Sequence, residues 1–562
     1  MSQFPGRVLS ESTARRYLDS GTWSQQTWLD IFEQNVLQHP ELTHRDDERT
    51  LTHQAWWGAS ESVAATLVKL GVNKGDRVVI QFPSTLDYLI ALFAIVRIGA
   101  VAVLLQTDLG PDMTRQSLST SGAKVWMCVS NYRGEPILEH ALKMREHLPE
   151  LQHIIVLGEA NMADGTVLHF EELRDGGVQL DPEESQTRRP TPVDPFVMLF
   201  TAGTTGQPRG IVHLHGNSVY AANAYCQRFG LQVGEATLDM APIYHLTGML
   251  VGVLMPIASG GRIVLLERFA ASRALRLIEN EAPRYLVGAP PHLIHLAEHP
   301  QLTETNTSSV RIYFYAGAPV PPEVLAKLQS DTGWIVGGLF GWSEGFLACS
   351  TELTDSPDAI STTVGRPIPG TEIRLVDEAG NPLPEDPSSV GEMLCKSPSF
   401  AAGYYGDASS ASEKWDAEGW FHSGDLFSKD AEGRYRFRGR RDNIINRGGA
   451  KIDPRTVEDA CNRHPCIDQS VLVSVADSTL GQRTALGVLP APLASVPSRA
   501  ELIQFLTAEG LAKFQMPDEV VSLSDRVTSA DGPIPISTLR KILHDVMRTT
   551  SVDDRTEAKG DR

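Results

Sequence analysis

The sequence predicts an α/β protein of more than one domain. Its 562 residues exceed what one hydrophobic core organises. Strand-length apolar runs alternate with helical patterns over residues 27–125 and again from about 195 to 345, the signature of mostly parallel sheets. Residues 365–437 then turn β-rich, with Gly and Pro between the runs.

In chain order, residues 77–81 and 101–105 read as buried strands. The apolar stretch 88–106 is long enough to raise a membrane span, but Arg97 and Gly99 interrupt it; a buried helix, a turn and a buried strand fit better. Residues 158–194, rich in Gly, Asp, Glu and Pro, read as a long surface connection. The second α/β set has strands at 196–200, 262–266, 285–287 and 310–315, and its apolar stretch 246–266 is broken by Pro256, Gly260 and Gly261. Strands at 372–376, 392–396 and 434–438 follow. A compact α/β segment runs from Asp442 to about 548, in which Asp453 and Pro454 start a helix. Residues 549–562 are polar, charged and expected to be disordered.

Composition narrows the function. Hydrophobic content of 41% and charged content of 21% fit a soluble globular protein. A net charge of −19 argues against generic nucleic-acid binding. The N-terminus lacks the apolar core of a signal peptide, so a cytoplasmic enzyme bound to no membrane is expected. The six cysteines are scattered, and the Cys461, His464, Cys466 spacing is wrong for a zinc pair.

The most informative segment follows the strand at 196–200. Thr201, Thr204 and Thr205 alternate with Gly203, Gly206 and Gly210, and Arg209 adds a cation. Glycines bring backbone N–H groups close to a ligand, hydroxyls add donors, and a guanidinium meets phosphate. The segment has no Walker Gly-Lys-Ser/Thr, yet it suits a loop that closes over a nucleotide triphosphate.

This loop resembles the phosphate loop of the adenylate-forming superfamily, which holds acyl-CoA synthetases, luciferases and peptide-synthetase adenylation domains. Further segments resemble that family's motifs in its order: Tyr315 to Pro319, Phe340 to Glu344, Gly391 with Glu392 through Gly403 and Tyr404, Trp420 to Asp425, Gly439 to Asp442, and Asn446 to Ile452. Ala14 to Tyr17 with Gly21 to Trp23, and Phe514 to Asp518, resemble the aryl-acid AMP ligases such as 2,3-dihydroxybenzoate-AMP ligase. The resemblance spans about residues 10 to 545. It implies a large N-terminal adenylation core of two α/β subdomains plus a small β-barrel (residues 1–441). It also implies a small mobile α+β C-terminal domain (442–548), hinged at Asp442.

The implied reaction is ATP- and Mg²⁺-dependent activation of a small aromatic carboxylic acid as its acyl-AMP. Transfer to a thiol, of CoA or of a separate carrier protein, would follow. The roles come by resemblance. Thr201, Gly203, Thr204, Thr205, Gly206 and Arg209 would meet the phosphates. Gly317, Ala318, Leu339, Phe340, Gly341 and Ser343 would line the nucleotide. Asp425 would take the ribose hydroxyls with help from Arg440, and Glu344 would bind Mg²⁺. Thr204, Glu344, Arg440 and Lys451 are the expected catalytic residues, and His245, Leu246, Leu250, Ala316 and Gly317 the acyl-pocket residues.

This chain departs from the pattern in places. Ala202 stands for serine, Arg209 for lysine and Ser343 for threonine. His245 falls where catechol-type ligases carry an asparagine. The C-terminal lysine that bridges carboxylate and phosphate aligns with Pro533, which has neither a cation nor an N–H, leaving Lys451 or Lys541 as substitutes. Two other readings remain open: a diazotase that activates nitrite with ATP for an aryl amine, and an inactive adenylation-like scaffold.

Overall fold

The computed structural model describes residues 6–159, 167–202, 208–346, 348–441, 445–447, 450–477, 481–509, 511, 513–526, 534 and 536–557. Asp442, Pro533 and the loop residues Gly203, Thr204, Thr205 and Gly206 lie outside them. The described residues fall into two compact units, one drawn from 1–374, 394–423 and 431–435, the other from 375–393, 424–430 and 436–562.

Two large sheets organise the first unit. The eight-stranded one runs Gly403–Tyr404, Pro208–Leu214, Pro195–Ala202, Val101–Leu104, Arg77–Gln81, Val125–Val129, His153–Leu157, Val167–His169. It is parallel from Pro195–Ala202 to Val167–His169. Pro195–Ala202 and Pro208–Leu214 form an antiparallel hairpin, with Gly403–Tyr404 antiparallel beyond it. The nine-stranded sheet runs Arg366–Pro367, Cys349–Ser350, Ile335–Phe340, Ile312–Ala316, Tyr285–Gly288, Ala236–Asp239, Arg262–Leu265, Thr43–Arg45, Thr50–Thr52. Its central strands are parallel, and these two sheets are the expected α/β subdomains.

Helix Leu86–Arg97 shows why the apolar run is internal. Every residue of it is buried, and Arg97 escapes isolation by pairing with Glu61 at 3.3 Å and lying 3.8 Å over the Trp57 ring. Gly99 turns the chain at φ +63° into strand Val101–Leu104. Among the described residues no helix is long and apolar enough to cross a membrane.

Two expectations need correction. Residues 158–194 are not a bare connection: they contain strand Val167–His169 and helices Phe170–Asp175 and Pro182–Arg188. Their polar composition hides two anchors, Phe170 and Leu180, both buried, while Asp181 caps the second helix ahead of Pro182 at its first turn. The β-rich segment is an open sheet of Glu372–Val376, Gly391–Lys396, Phe421–Lys429 and Tyr435–Arg440, in that order, not a closed barrel among the described residues; the first and last strands remain edges. Helix Ile536–Glu557 is the last element among the described residues.

The second unit takes in part of that open sheet. Arg455 lies 4.6 Å over the Phe437 ring, and Gly439, at φ +130°, leaves room for Asp453, so residues 436–440 pack against the start of helix Pro454–Cys461. Asp453 caps that helix as expected. A long hairpin, Ile467–Asp477 with Gly481–Pro490, is flanked by the same helix, by Arg499–Ala508 and by Ile536–Glu557.

Candidate active site

Described residues expected at the nucleotide lie at or next to strand ends in the two sheets of the first unit. Thr201, next to last in strand Pro195–Ala202, pairs in register with Arg209 on the returning strand, so the hairpin sets cation and hydroxyl side by side. In the other sheet, Ala316 is in parallel register with Leu339; Gly317 and Ala318 therefore follow one strand end beside Phe340 and Gly341 at the next. Gly317 takes φ +103°, with open space where a side chain would begin. Such crevices beyond carboxyl-end strand termini are where open α/β sheets bind ligands.

Glu344 is the best-held residue of this group. Its Oε1 accepts from the Tyr404 hydroxyl at 2.6 Å, and its carbonyl accepts from Ala401 N at 2.7 Å. One residue earlier, the Ser343 carbonyl meets His213 Nε2 at 2.8 Å. Burial pushes the His213 imidazole down to about 4, so it is neutral at pH 7. Its partners fix the tautomer: Nε2–H donates to Ser343, and Nδ1 accepts from Asn217 Nδ2 at 2.9 Å. Asn217 also donates to the Ser399 carbonyl at 2.8 Å, and the Ser399 hydroxyl donates to Gly345 O at 3.0 Å. Phe346 closes the loop at φ +55°, a left-handed conformation for a bulky residue that the surrounding bonds hold in place. Arg209 stands 5.7 Å from the Tyr404 ring centroid, with Nε 4.0 Å from Asp407.

In the second unit, Arg440 Nε meets Asp425 Oδ1 at 3.0 Å. Asp425 is buried, whereas half of the Arg440 side chain is exposed. Arg441 pairs with buried Glu392 at 2.6 Å, and Glu392 also accepts from Gly424 N at 3.0 Å. The strand that carries Asp425 and the residues just before Asp442 are thus tied twice. Lys451 lies on strand Ala450–Ile452, and Lys541 is exposed on the last helix.

The segment expected on the acyl side is built differently. It follows strand Ala236–Asp239 and enters a π-helix, Gly248–Leu254, where Leu250 is fully buried. Leu246, Leu250, Ala316 and Leu339 share one apolar cluster. His245 is exposed at the surface of this segment, and the burial of part of its ring lowers its pKa.

A family model described as AMP-binding enzyme matches residues 32–405. The chain belongs to that family. It is 29% identical over 550 residues to a medium-chain fatty-acid–CoA ligase of Escherichia coli (strain K12), covering 97% of this chain and 95% of that one. It is 27% identical over 537 residues to a vibriobactin-specific 2,3-dihydroxybenzoate-AMP ligase of Vibrio cholerae, covering 94% and 96%. Its fold matches that of an anthranilate CoA ligase, AuaEII, in complex with anthranoyl-AMP: TM-score 0.77, 23% identity, 94% of this chain and 98% of that one.

This AMP-binding enzyme is therefore an adenylate-forming ligase of the acid-AMP and CoA type. Its Glu344 offers a hard oxygen ligand of the kind Mg²⁺ takes, and Oε2 has no partner among the described residues, so the site fits the metal the family uses. Four residues of the site, His213, Asn217, Ser399 and Tyr404, had drawn no role from the sequence. His213 and Asn217 sit four apart after the phosphate loop, but nothing in that spacing says that they reach residue 343.

Proposed function

We propose that this AMP-binding enzyme activates a small aromatic carboxylic acid and passes its acyl group to a thiol, of CoA or of a separate carrier protein, in the cytoplasm. The acid's carboxylate oxygen attacks the α-phosphorus of ATP, the bond to the β-phosphate oxygen breaks, and pyrophosphate leaves. The acyl carbon of the acyl-AMP then takes the thiolate and releases AMP. The observation that carries this reading is the convergence of Arg209, Tyr404 and Glu344 at the mouth of the phosphate hairpin.

Arg209 brings positive charge to the phosphates, and Glu344 would hold Mg²⁺. When bound, Mg²⁺ neutralises phosphate charge as it shifts toward the leaving pyrophosphate. Thr201, Gly203, Thr204, Thr205 and Gly206 would surround the phosphates, and Gly317, Ala318, Leu339, Phe340, Gly341 and Ser343 the nucleotide. Asp425 would accept from the ribose hydroxyls, with Arg440 orienting its carboxylate. Positioning of this kind supplies most of the acceleration in such transfers. Residues 1–441 would act as the core, and 442–548 would rotate about Asp442 between the two half-reactions. Lys451 is the first candidate to replace the absent lysine.

Support for an aromatic acid comes from the apolar lining, Leu246 and Leu250, and from relatives named for dihydroxybenzoate and anthranilate. ATP–pyrophosphate exchange across hydroxybenzoates, aminobenzoates and medium-chain alkanoic acids tests it. Exchange with an aryl acid is expected. Exchange with alkanoic acids alone overturns the aromatic assignment. A silent panel with nitrite-dependent AMP formation in the presence of an aryl amine favours the diazotising reaction.

A further inference from the structure

Tyr404 has no assigned role, yet it is the one side chain that touches the expected metal carboxylate among the described residues. Its ring is fully buried in a cluster with Ile211, Phe400 and Trp415, and it meets Trp415 edge-on at 5.4 Å. The backbone is held as well: Tyr404 pairs with Ile211 on the strand leaving the phosphate loop. A ring fixed at both ends places its hydroxyl at one point in space. That point is 2.6 Å from Glu344 Oε1, a short charge-assisted bond.

The surroundings reinforce the same geometry. Ala401 N, three residues before Tyr404, donates to the Glu344 carbonyl, so one short segment holds both the main chain and the carboxylate of Glu344. Three residues after Tyr404, Asp407 stands 4.0 Å from Arg209 Nε. Asp407 is itself fixed, accepting from Ser410 N and the Ser409 hydroxyl, both at 2.9 Å. The segment 401–407 therefore faces the carboxylate on one side and the phosphate-loop cation on the other.

We propose that Tyr404 is a positioning residue of the metal–nucleotide site: it occupies Glu344 Oε1, leaves Oε2 for the cation, and sets that carboxylate in register with Arg209. The inference rests on the reading of Glu344 as the Mg²⁺ carboxylate. A core aromatic serving only to fill space would need no hydroxyl, and phenylalanine would replace it without consequence for metal binding.

The experiment measures Mn²⁺ affinity by electron paramagnetic resonance in the presence of a non-hydrolysable ATP analogue, on wild-type, Y404F, E344Q and the double variant. Binding of the analogue alone, in chelator, and thermal melting are measured in parallel. Y404F is expected to melt as the wild-type does and to bind the metal-free analogue alike. It should weaken Mn²⁺ binding about tenfold, the size of one hydrogen bond to a charged group. In the E344Q background the same change should cost little more, because the group it positions is already altered. Wild-type-like Mn²⁺ affinity in Y404F, with E344Q impaired, overturns the positioning role alone. Losses that multiply in the double variant also overturn it. Full Mn²⁺ affinity in E344Q overturns the metal assignment of Glu344, and the positioning role falls with it. Should Y404F melt early, the double-variant comparison is made at a temperature where all four proteins are folded.

Discussion

The loop around Glu344 and the segment around His245 lie in the same unit, both beyond strand ends, and are held in opposite ways. The first is fixed by named polar bonds: Tyr404 to the carboxylate, Ala401 and His213 to the backbone, Ser399 to the next residue. The second is held by apolar burial and a π-helix, with one exposed histidine. A directional network suits a step in which charge must be met at fixed points, since preorganised dipoles need not move as the charge develops. Apolar packing suits an acyl group recognised by shape, and it tolerates substitution of lining residues. The nucleotide side is therefore expected to be intolerant and the acyl side adaptable.

The comparison breaks most visibly if Glu344 can be spared. Glu344→Gln removes one charge from a half-exposed position, so the fold should persist. Metal-dependent adenylation should fall at least about a hundredfold, the scale of losing one preorganised charge contact. Stopped-flow release of pyrophosphate, with a melting curve alongside, checks both statements. Turnover near the wild-type rate would place the metal elsewhere.

This contrast also explains what could be read without coordinates. The strand at 196–200 was legible because an apolar run is a local signal, whereas Gly203 and Gly206 of the turn that follows lie outside the described residues. The paired sheets were legible from alternating apolar runs, and Asp453 with Pro454 announced a helix start. Tyr404 and His213 were not, because their partners lie 60 and 130 residues away and a buried aromatic or histidine reads the same whether or not it bears a load. The anchors Phe170 and Leu180 were lost in a polar segment, since composition averages over the few residues that decide burial. The open four-stranded sheet was misjudged because strand count and order, not strand content, decide closure.

Pro533 probes the nucleotide side from the chain's other end. If no residue has replaced the missing lysine, Pro533→Lys should accelerate acyl-AMP formation by about ten- to a hundredfold, by adding a cation where charge develops between carboxylate and phosphate. Transfer from preformed acyl-AMP to the thiol should stay within about twofold, if the domain has rotated that loop away by then. Single-turnover quenched flow separates the two steps. A rate unchanged by Pro533→Lys but lost in Lys451→Ala would assign the role to Lys451.

The Asp425–Arg440 pair is expected to give a smaller effect confined to ATP. Asp425→Ala removes a buried acceptor, while Arg440, half exposed, remains solvated. KM for ATP should rise about tenfold, with kcat changed less, because hydrogen bonds to the ribose are made in ground and transition states alike. Initial-rate kinetics with ATP and the acid varied separately test this; an unchanged KM for ATP would remove Asp425 from the ribose site.

The smallest effect tests the apolar side, and its sign is the informative part. Asp239 ends the strand that leads to His245 and is buried. Its Oδ1 accepts from Ala241 N at 2.9 Å, but Oδ2 has no partner among the described residues and lies against Gly252 of the π-helix. Burial pushes this carboxyl well above the usual carboxylate range, which favours its neutral form in the fold. The folded pKa then exceeds the unfolded one. Well below the unfolded pKa of about 3.9 both states are protonated and the full stability is present. As pH rises toward the folded pKa, the unfolded chain ionises and gains hydration that the folded chain cannot match, and stability declines. Asp239→Asn keeps the shape and removes the titration. It should leave the melting temperature nearly unchanged near pH 3 and raise it by about 2–4 °C at pH 8. Calorimetric scans at the two pH values measure the difference. Parallel shifts at both would mean that Asp239 is ionised in the fold, and that the acyl side is not the neutral, shape-built counterpart of the Glu344 loop.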